Sequence, residues 1–298
     1  YRNARHEDAI AEQGLDRVIA AAESGNVAGE TIELLGPPRR VLMLRAAPLF
    51  EAGAVVGVCA TVRDVTEAAL LEAVRQDFVA NVSHELKTPI GALVLVSELL
   101  ATEQDPAAVR DLAPRAHAEA TRLAAIVDDL LDLSTIEIQA AQGLSLVEHV
   151  ELSDVAREAL ARFGEAATRV ALSGATGPET TINGDRRQLV SAIANLVDNA
   201  LKYSDGESSI EARVSIDHAN VCLTVSDHGV GIPARDLERV FERFYRVDRA
   251  RSRDTGGTGL GLAIVRNVVT ANHGTLEIES VEGEGTSITL RFPKVARP

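Results

Sequence analysis

Between Thr66 and Leu133, apolar residues return every three or four positions along two long stretches, which leaves few ways to fold. In the first, Leu71, Val74, Phe78 and Val82 mark a helix buried along one stripe. It runs from about Thr66 through Glu85 and past Pro89 to about Ala101; Pro89 lacks a backbone donor and should bend it. Pro106 suits the first position of a second helix. Its stripe reads Leu112, Ala116, Leu123, Ile126, Leu130 and Leu133, on a/d heptad positions with Glu119 as the polar exception. Two long helices with a short link form an antiparallel hairpin, and a lone hairpin cannot cover both stripes. A second copy supplies the cover, so the expectation is a homodimer joined through a four-helix bundle.

Before this hairpin, residues 1–28 are helix-prone. Three strand-like runs follow, Glu30–Leu35, Arg39–Leu49 and Val55–Val62, with turn signals at Pro37-Pro38 and Ala52-Gly53. After it, from about His149, helices near Ser153–Arg162, Arg186–Tyr203 and Leu260–Ala271 mix with runs at Ser209–Ile216, Val221–Val225, Thr275–Glu279 and Ser287–Phe292. Without strict β-α-β alternation this predicts an α/β sandwich and not a doubly wound parallel sheet, and an α+β class for the whole chain. At 298 residues and 46% apolar, the chain can pack such cores. Its net charge of −14 argues against a general nucleic-acid binder. No apolar run approaches the ~20 residues of a membrane span. A chain that opens on Tyr1 without a signal peptide is expected to be a fragment. Cys59 and Cys222 sit in strand-like runs and read as small buried hydrophobes in a reducing, cytoplasmic compartment.

Four constellations carry chemistry. In Asn81-Val-Ser-His-Glu-Leu-Lys-Thr-Pro89, His84 and Thr88 share a helix face one turn apart, and Glu85 is adjacent. Neutral imidazole is a nucleophile that a neighbouring carboxylate can orient or relieve of its proton; the zinc pattern His-Glu-x-x-His fails because position 88 is Thr. On the helix near 186–203, Asp185 can cap the start with Gln188 three residues on. Ala192, Asn195, Asn199 and Lys202 form one row beside the apolar row Leu189, Ile193, Leu196, Ala200. Two mid-helix asparagines and an ammonium could hold a metal-bound polyphosphate or simply face water. Third, Asp227-His-Gly229-Val-Gly231 follows an apolar strand; its glycines allow close approach to a flat ligand, or it is a turn. Fourth, Gly256-Gly257-Thr258-Gly259-Leu260-Gly261-Leu262 opens a helix, an anion-binding arrangement that fits neither the Walker nor the Rossmann spacing. Arg249, Arg251 and Arg253 just upstream are either a solvated face or a cationic lid.

In order and spacing these motifs resemble those of bacterial two-component sensor histidine kinases over residues 66 to 293. His84–Pro89 is similar to the H box, Asn195–Tyr203 to the N box, Asp227–Gly231 to G1, Phe241–Tyr245 to the F box and Gly257–Leu262 to G2. The H-box wording most resembles the phosphate-regulon sensor group. Two of the three lysines, Lys87 and Lys202, fall inside these motifs. More loosely, Gly57–Thr66 resembles the closing strand of a PAS domain and Tyr1-Arg2-Asn3 the end of that fold's second strand.

The resemblance implies a partial PAS-like sensor domain at 1–66, a helical hairpin for dimerisation and histidine phosphotransfer at 67–140, and an ATP-binding α/β sandwich at 148–296. It implies that His84 accepts the phosphoryl group, Glu85 acts as general base and Thr88 positions water for phosphatase activity. ATP would be held by Asn195, Asn199, Lys202, Tyr203, Asp227, Gly229, Gly231, Gly257, Thr258, Gly259, Leu260 and Gly261, with Asn199 as the Mg²⁺ ligand. The implied partners are a second copy and a cognate response regulator, and the implied whole protein is tethered to a membrane upstream. Chaperone, topoisomerase and mismatch-repair ATPases share the ATP fold but lack such a histidine helix; a non-catalytic scaffold would show a damaged motif, and none is damaged.

Overall fold

The computed structural model describes residues 2–142, 147–206, 208–247 and 257–295. The chain divides into two compact units, Tyr1–Val82 and Ser83–Pro298.

In the first unit, helix α1 (Arg2–Glu23) is followed by strands β1 (Ala28–Leu34), β2 (Arg40–Glu51) and β3 (Ala54–Asp64), an antiparallel sheet in the order β1-β2-β3. Leu15, Val18 and Ala22 of α1 pack on Ile32, Leu34, Leu44 and Ala46 of the sheet. The β2–β3 turn rests on Ala52 and Gly53, both at positive φ (51° and 87°), as a two-residue hairpin turn requires. Two expectations are corrected here. Arg2 and Asn3 belong to α1 and not to a strand, because residues 2–9 carry no apolar alternation and continue unbroken into the helix that packs on the sheet; Tyr1 lies outside the described residues. Cys59 is exposed, because it pairs with Ala47 and so stands on the pleat facing away from α1, whereas Leu44 and Ala46 face it.

Helix α2 (Thr66–Thr102) begins where the Asp64 carboxylate accepts the Thr66 backbone N–H at 2.9 Å and the Thr66 hydroxyl at 2.5 Å. That hydroxyl in turn accepts the Val41 N–H at 2.8 Å, tying the helix start to β2.

In the second unit α2 continues helically through Pro89, which is buried. Helix α3 (Pro106–Gln142) is capped by Asp105, which accepts the Ala107 N–H at 2.9 Å with Pro106 at the first helical position. Beyond this hairpin come β4 (Glu148–Glu151), α4 (Leu152–Ala161), β5 (Val170–Gly174), β6 (Thr181–Gly184), α5 (Arg186–Tyr203), β7 (Ile210–Asp217), β8 (Asn220–Asp227), α6 (Gly261–Ala271), β9 (Thr275–Val281) and β10 (Gly285–Pro293). Strands β5-β7-β8-β10-β9 form one sheet, in which β5–β7 is parallel and the rest antiparallel; β4 and β6 form a second. Leu189, Ile193, Leu196 and Ala200 of α5 are buried, as are Ile264, Val265 and Val268 of α6 and the inward row Val221, Leu223, Val225 of β8. The expected α/β sandwich with a helical hairpin is therefore what forms.

Candidate functional site

Helix α5 starts at Asp185, whose carboxylate accepts the N–H groups of Arg187 (3.0 Å) and Gln188 (3.2 Å). Gln188 does not complete a capping box: its side chain donates to Gln139 of α3 at 2.7 Å and accepts from the buried Asn272, just past the end of α6, at 3.1 Å. Because the apolar row of α5 faces the core, its polar row is turned to a cleft of about 730 Å³, lined among others by Asn195, Asn199, Lys202 and Tyr203. The Asn195 amide donates to the Ser191 carbonyl at 3.0 Å, and Lys202 pairs with Asp198 at 2.5 Å.

Asp227 ends β8 on the opposite wall. Its carboxylate accepts the Gly229 N–H at 2.8 Å. Burial pushes its pKa above the ordinary aspartate range, against the opposing effect of N–H groups from Gly229 and Thr286. Two glycines here are steric necessities. A Cβ on Gly229 would fall 2.3 Å from the Tyr203 carbonyl oxygen; one on Gly231, at φ 65°, would fall 2.0 Å from that of Val281. The loop is pinned by Val230 N–H to Tyr203 O (3.2 Å), Ile232 N–H to Ser280 Oγ (2.8 Å) and Gly283 N–H to Val230 O (2.8 Å).

The third wall is the glycine-rich entry to α6. Gly257, Thr258, Gly259 and Gly261 line the cleft, and Leu260 beside them is fully buried. Gly259 takes φ 74°, and its carbonyl accepts the Phe244 N–H at 2.8 Å. A Cβ on Gly261 would meet the Asn195 side-chain oxygen at 2.7 Å, so glycine lets α6 begin against α5. Thr258 Oγ1 accepts the Leu260 N–H at 3.1 Å. Arg249, Arg251 and Arg253, read as a solvated face or a cationic lid, and Asp254–Gly256 lie outside the described residues.

His84, Glu85 and Thr88 are not among the residues lining this cleft. His84 and Thr88 are exposed on α2. The Thr88 hydroxyl donates to the His84 carbonyl at 3.2 Å. Glu85 faces Arg122 of α3 at 4.0 Å, a partner that sequence reasoning missed. Also missed was the buried Asp236 as the partner of Tyr245 in the F box: the tyrosine hydroxyl donates to that carboxylate at 2.7 Å, and Arg239 lies over its ring at 4.2 Å from the centroid. Asp129 of α3, likewise unforeseen, lines the cleft itself.

The walls of the cleft suit a nucleotide by their chemistry. A half-buried carboxylate stands beside a glycine cradle that admits a flat base, and amides and an ammonium face a glycine-rich helix entry suited to phosphates.

Comparison with known proteins points the same way. Residues 184–296 match the family of histidine kinase-, DNA gyrase B- and HSP90-like ATPases, and residues 74–139 the His Kinase A (phospho-acceptor) domain. A sensor-like histidine kinase, SenX3, of Mycolicibacterium smegmatis is 44% identical over 238 residues, which is 79% of this chain and 62% of that protein. The phosphate regulon sensor protein PhoR of Pseudomonas aeruginosa is 40% identical over 240 residues, 78% of this chain and 53% of that one. The chain thus spans between half and two thirds of the length of these curated relatives. Among solved structures, the Acinetobacter baumannii histidine kinase AdeS superposes with a TM-score of 0.53 at 24% identity, covering 71% of this chain and 98% of that one, a likeness of fold.

Proposed function

Since the chain belongs to the bacterial two-component sensor histidine kinases, we propose that it moves the γ-phosphoryl group of ATP to His84 and from there to an aspartate of a cognate response regulator. The observation that carries this reading is the gathering of Asn199, Lys202, Asp227, Gly231 and Gly257–Gly261, from three distant segments, around one cleft.

In this reading Asp227 accepts a hydrogen bond from the exocyclic amine of adenine, and Gly229 and Gly231 let the base lie against the backbone. Asn199, with Asn195 beside it, holds Mg²⁺, and Lys202 faces the phosphates. The Gly257–Gly261 segment presents N–H groups at the entry to α6, where anions are favoured. Magnesium would supply charge neutralisation on the polyphosphate. His84 offers an unshared imidazole nitrogen for in-line attack on the γ-phosphorus, breaking its bond to the bridging oxygen so that ADP leaves, and Glu85, steadied by Arg122, takes the other ring proton. Phosphoryl transfer needs chiefly positioning and charge neutralisation, which the walls of the cleft and the bound metal would supply together.

The finer assignments follow the same reading. Residues 1–66 form a PAS-like sensory module, 67–140 the dimerising phosphotransfer hairpin and 148–296 the ATP domain. The acting form is a homodimer, and Thr88 serves a phosphatase reaction on the regulator. The whole protein is tethered to a membrane ahead of this segment, which itself works on the cytoplasmic side. No described helix is long and apolar enough to cross a membrane.

The test is incubation with γ-labelled ATP. Acid-labile, alkali-stable label is expected on the chain and none on His84→Gln, whose nucleotide affinity should stay within about twofold. Undiminished label on His84→Gln would overturn the assignment.

A further inference from the structure

Three neighbouring strands end their inward rows at the cleft in polar residues. Alternation turns Leu223 and Val225 of β8, Ile288 and Leu290 of β10, and Ile278 of β9 to one side of the sheet. The first four are buried. The same alternation continues to Asp227 on β8, Thr286 on β10 and Ser280 on β9. Pairing sets Thr286 opposite Asp227 on one neighbour and opposite Ser280 on the other. The apolar rows therefore finish, side by side, in a rung of one carboxylate and two hydroxyls. Asp227 and Thr286 line the cleft, whereas Ser280 stands behind them and does not.

The protons of this rung are all assigned by its geometry. A hydroxyl has one proton to give and two lone pairs to receive with. Ser280 Oγ donates to the Gly285 carbonyl at 2.8 Å and accepts the Ile232 N–H at 2.8 Å. Its contact with Thr286 Oγ1, at 2.9 Å, is therefore made with the Thr286 proton, and Ser280 is saturated. Thr286 has only lone pairs left for the cleft. Its backbone N–H is committed as well, to the Asp227 carboxylate, which also accepts the Gly229 N–H. This end of the cleft thus offers acceptors side by side, the Asp227 carboxylate and the Thr286 hydroxyl oxygen.

We propose that Ser280 is a positioning residue that makes the cleft selective for 6-aminopurines: by holding the Thr286 proton it keeps the rung free of donors, so that a 6-oxopurine is rejected. The proposal rests on the nucleotide reading of the cleft and deepens it, because Asp227 alone does not decide the base. A carboxylate takes the amine of adenine, but it takes the ring N–H of a 6-oxopurine equally well. Thr286 separates the two. A 6-amine carries two protons, one for each acceptor. A 6-oxo group next to a carboxylate-bound ring N–H sets its lone pairs against those of Thr286. Selectivity of this kind comes from mismatch with the wrong base as much as from match with the right one. Released from Ser280, the Thr286 hydroxyl can rotate and donate to a 6-oxo oxygen, so the rejection depends on the residue behind it.

The test compares the β,γ-imido analogues of ATP and of inosine triphosphate, whose bases differ at position 6, for binding with Mg²⁺ to the full chain by calorimetry. Wild type should prefer the ATP analogue by about tenfold or more. Ser280→Ala frees the Thr286 proton and should erase most of that preference, chiefly by tighter binding of the inosine analogue. Ser280→Thr keeps a hydroxyl in place and should restore the preference. Thr286→Val should also lower it, and adding Ser280→Ala to Thr286→Val should lower it no further, because the two residues act as one unit. A Ser280 that only pins the Ile232 loop would instead weaken both analogues by the same factor. An unchanged preference in Ser280→Ala, or in Thr286→Val should the first variant not fold, would overturn the proposal. A wild-type chain that binds both analogues equally would overturn it while leaving the nucleotide reading intact, and one that binds neither would remove both.

Discussion

Asp227 stands under opposed demands. Its carboxylate is half-buried and its pKa raised by that burial, yet the proposed base recognition needs it as an acceptor. An acid whose pKa is higher folded than unfolded costs stability once pH exceeds the unfolded value, and the cost is complete above the folded value. Asp227→Asn removes the charge and should raise the melting temperature of the nucleotide-free protein slightly at pH 7 while lowering ATP affinity by tenfold or more. Calorimetry and thermal melts on the one variant read both, and an unstable variant or one with wild-type affinity contradicts the assignment. Asn199→Ala should lose Mg²⁺-dependent ATP binding in the same assay. Thr88 is a different case, since its hydroxyl already bonds the His84 carbonyl, a local bond worth at most about 1 kcal/mol. If Thr88 positions water, Thr88→Ala keeps autophosphorylation within a few-fold and loses regulator phosphatase activity by an order of magnitude or more. If it serves only the helix, both activities and the melting temperature fall together.

At the scale of elements, local chemistry was legible and long-range adjacency was not. Asp185 was readable as a cap because the sequence places it one residue before the α5 periodicity, and it accepts two N–H groups there. Asp185→Ala should cost about 1 kcal/mol, or roughly 2–4 °C in a domain of this size. Asp185→Asn should recover most of it in a thermal melt. The glycines and asparagines of the cleft were readable for a similar reason, because each breaks a local preference that needs a ligand or a close approach to justify it. Gln188 shows the limit: three residues after the cap it looks like a capping-box partner, but its amide is drawn to Gln139 and Asn272, 49 and 84 residues away in sequence. Asp129, Arg122 and Asp236 carry no local pattern at all. Cys59 was misjudged because alternation says that a residue has a face, and only the position of α1 says which face is covered. Arg2 and Asn3 were misjudged because a three-residue likeness outweighed a polar run without alternation that continues into one helix from Arg2 to Glu23.

For the whole molecule, the structure redistributes the stripe on which dimerisation was argued. Of its α3 members, Ile126 and Leu133 are buried within a single copy, at 0% and 1% exposure. The apolar row left open on α3 is instead Val127, Leu131 and Ile138, at 41%, 61% and 53% exposure, on the side of the helix opposite the ATP domain. On α2 the residues Ile90, Val94, Leu95 and Leu99 are similarly exposed, as are Leu71 and Val74 nearer its start. Apolar surface repeated at helical spacing over two helices is what a second copy would cover, so the proposed dimer draws on Leu131 and its neighbours more than on Leu133. The two leucines, two residues apart, therefore make an internal control. Leu131→Asp replaces a side chain that is exposed in one copy, and should leave the fold intact while placing a charge in the dimer contact. Leu133→Asp buries an unpaired carboxylate in each copy at a cost of several kcal/mol, and should destabilise the hairpin itself. Sedimentation with parallel circular dichroism is expected to show a folded monomer for the first and loss of helical signal or stability for the second. A Leu131→Asp chain that sediments as a dimer at micromolar concentration would place the second copy elsewhere, and a wild-type chain that sediments as a folded monomer would remove the dimer.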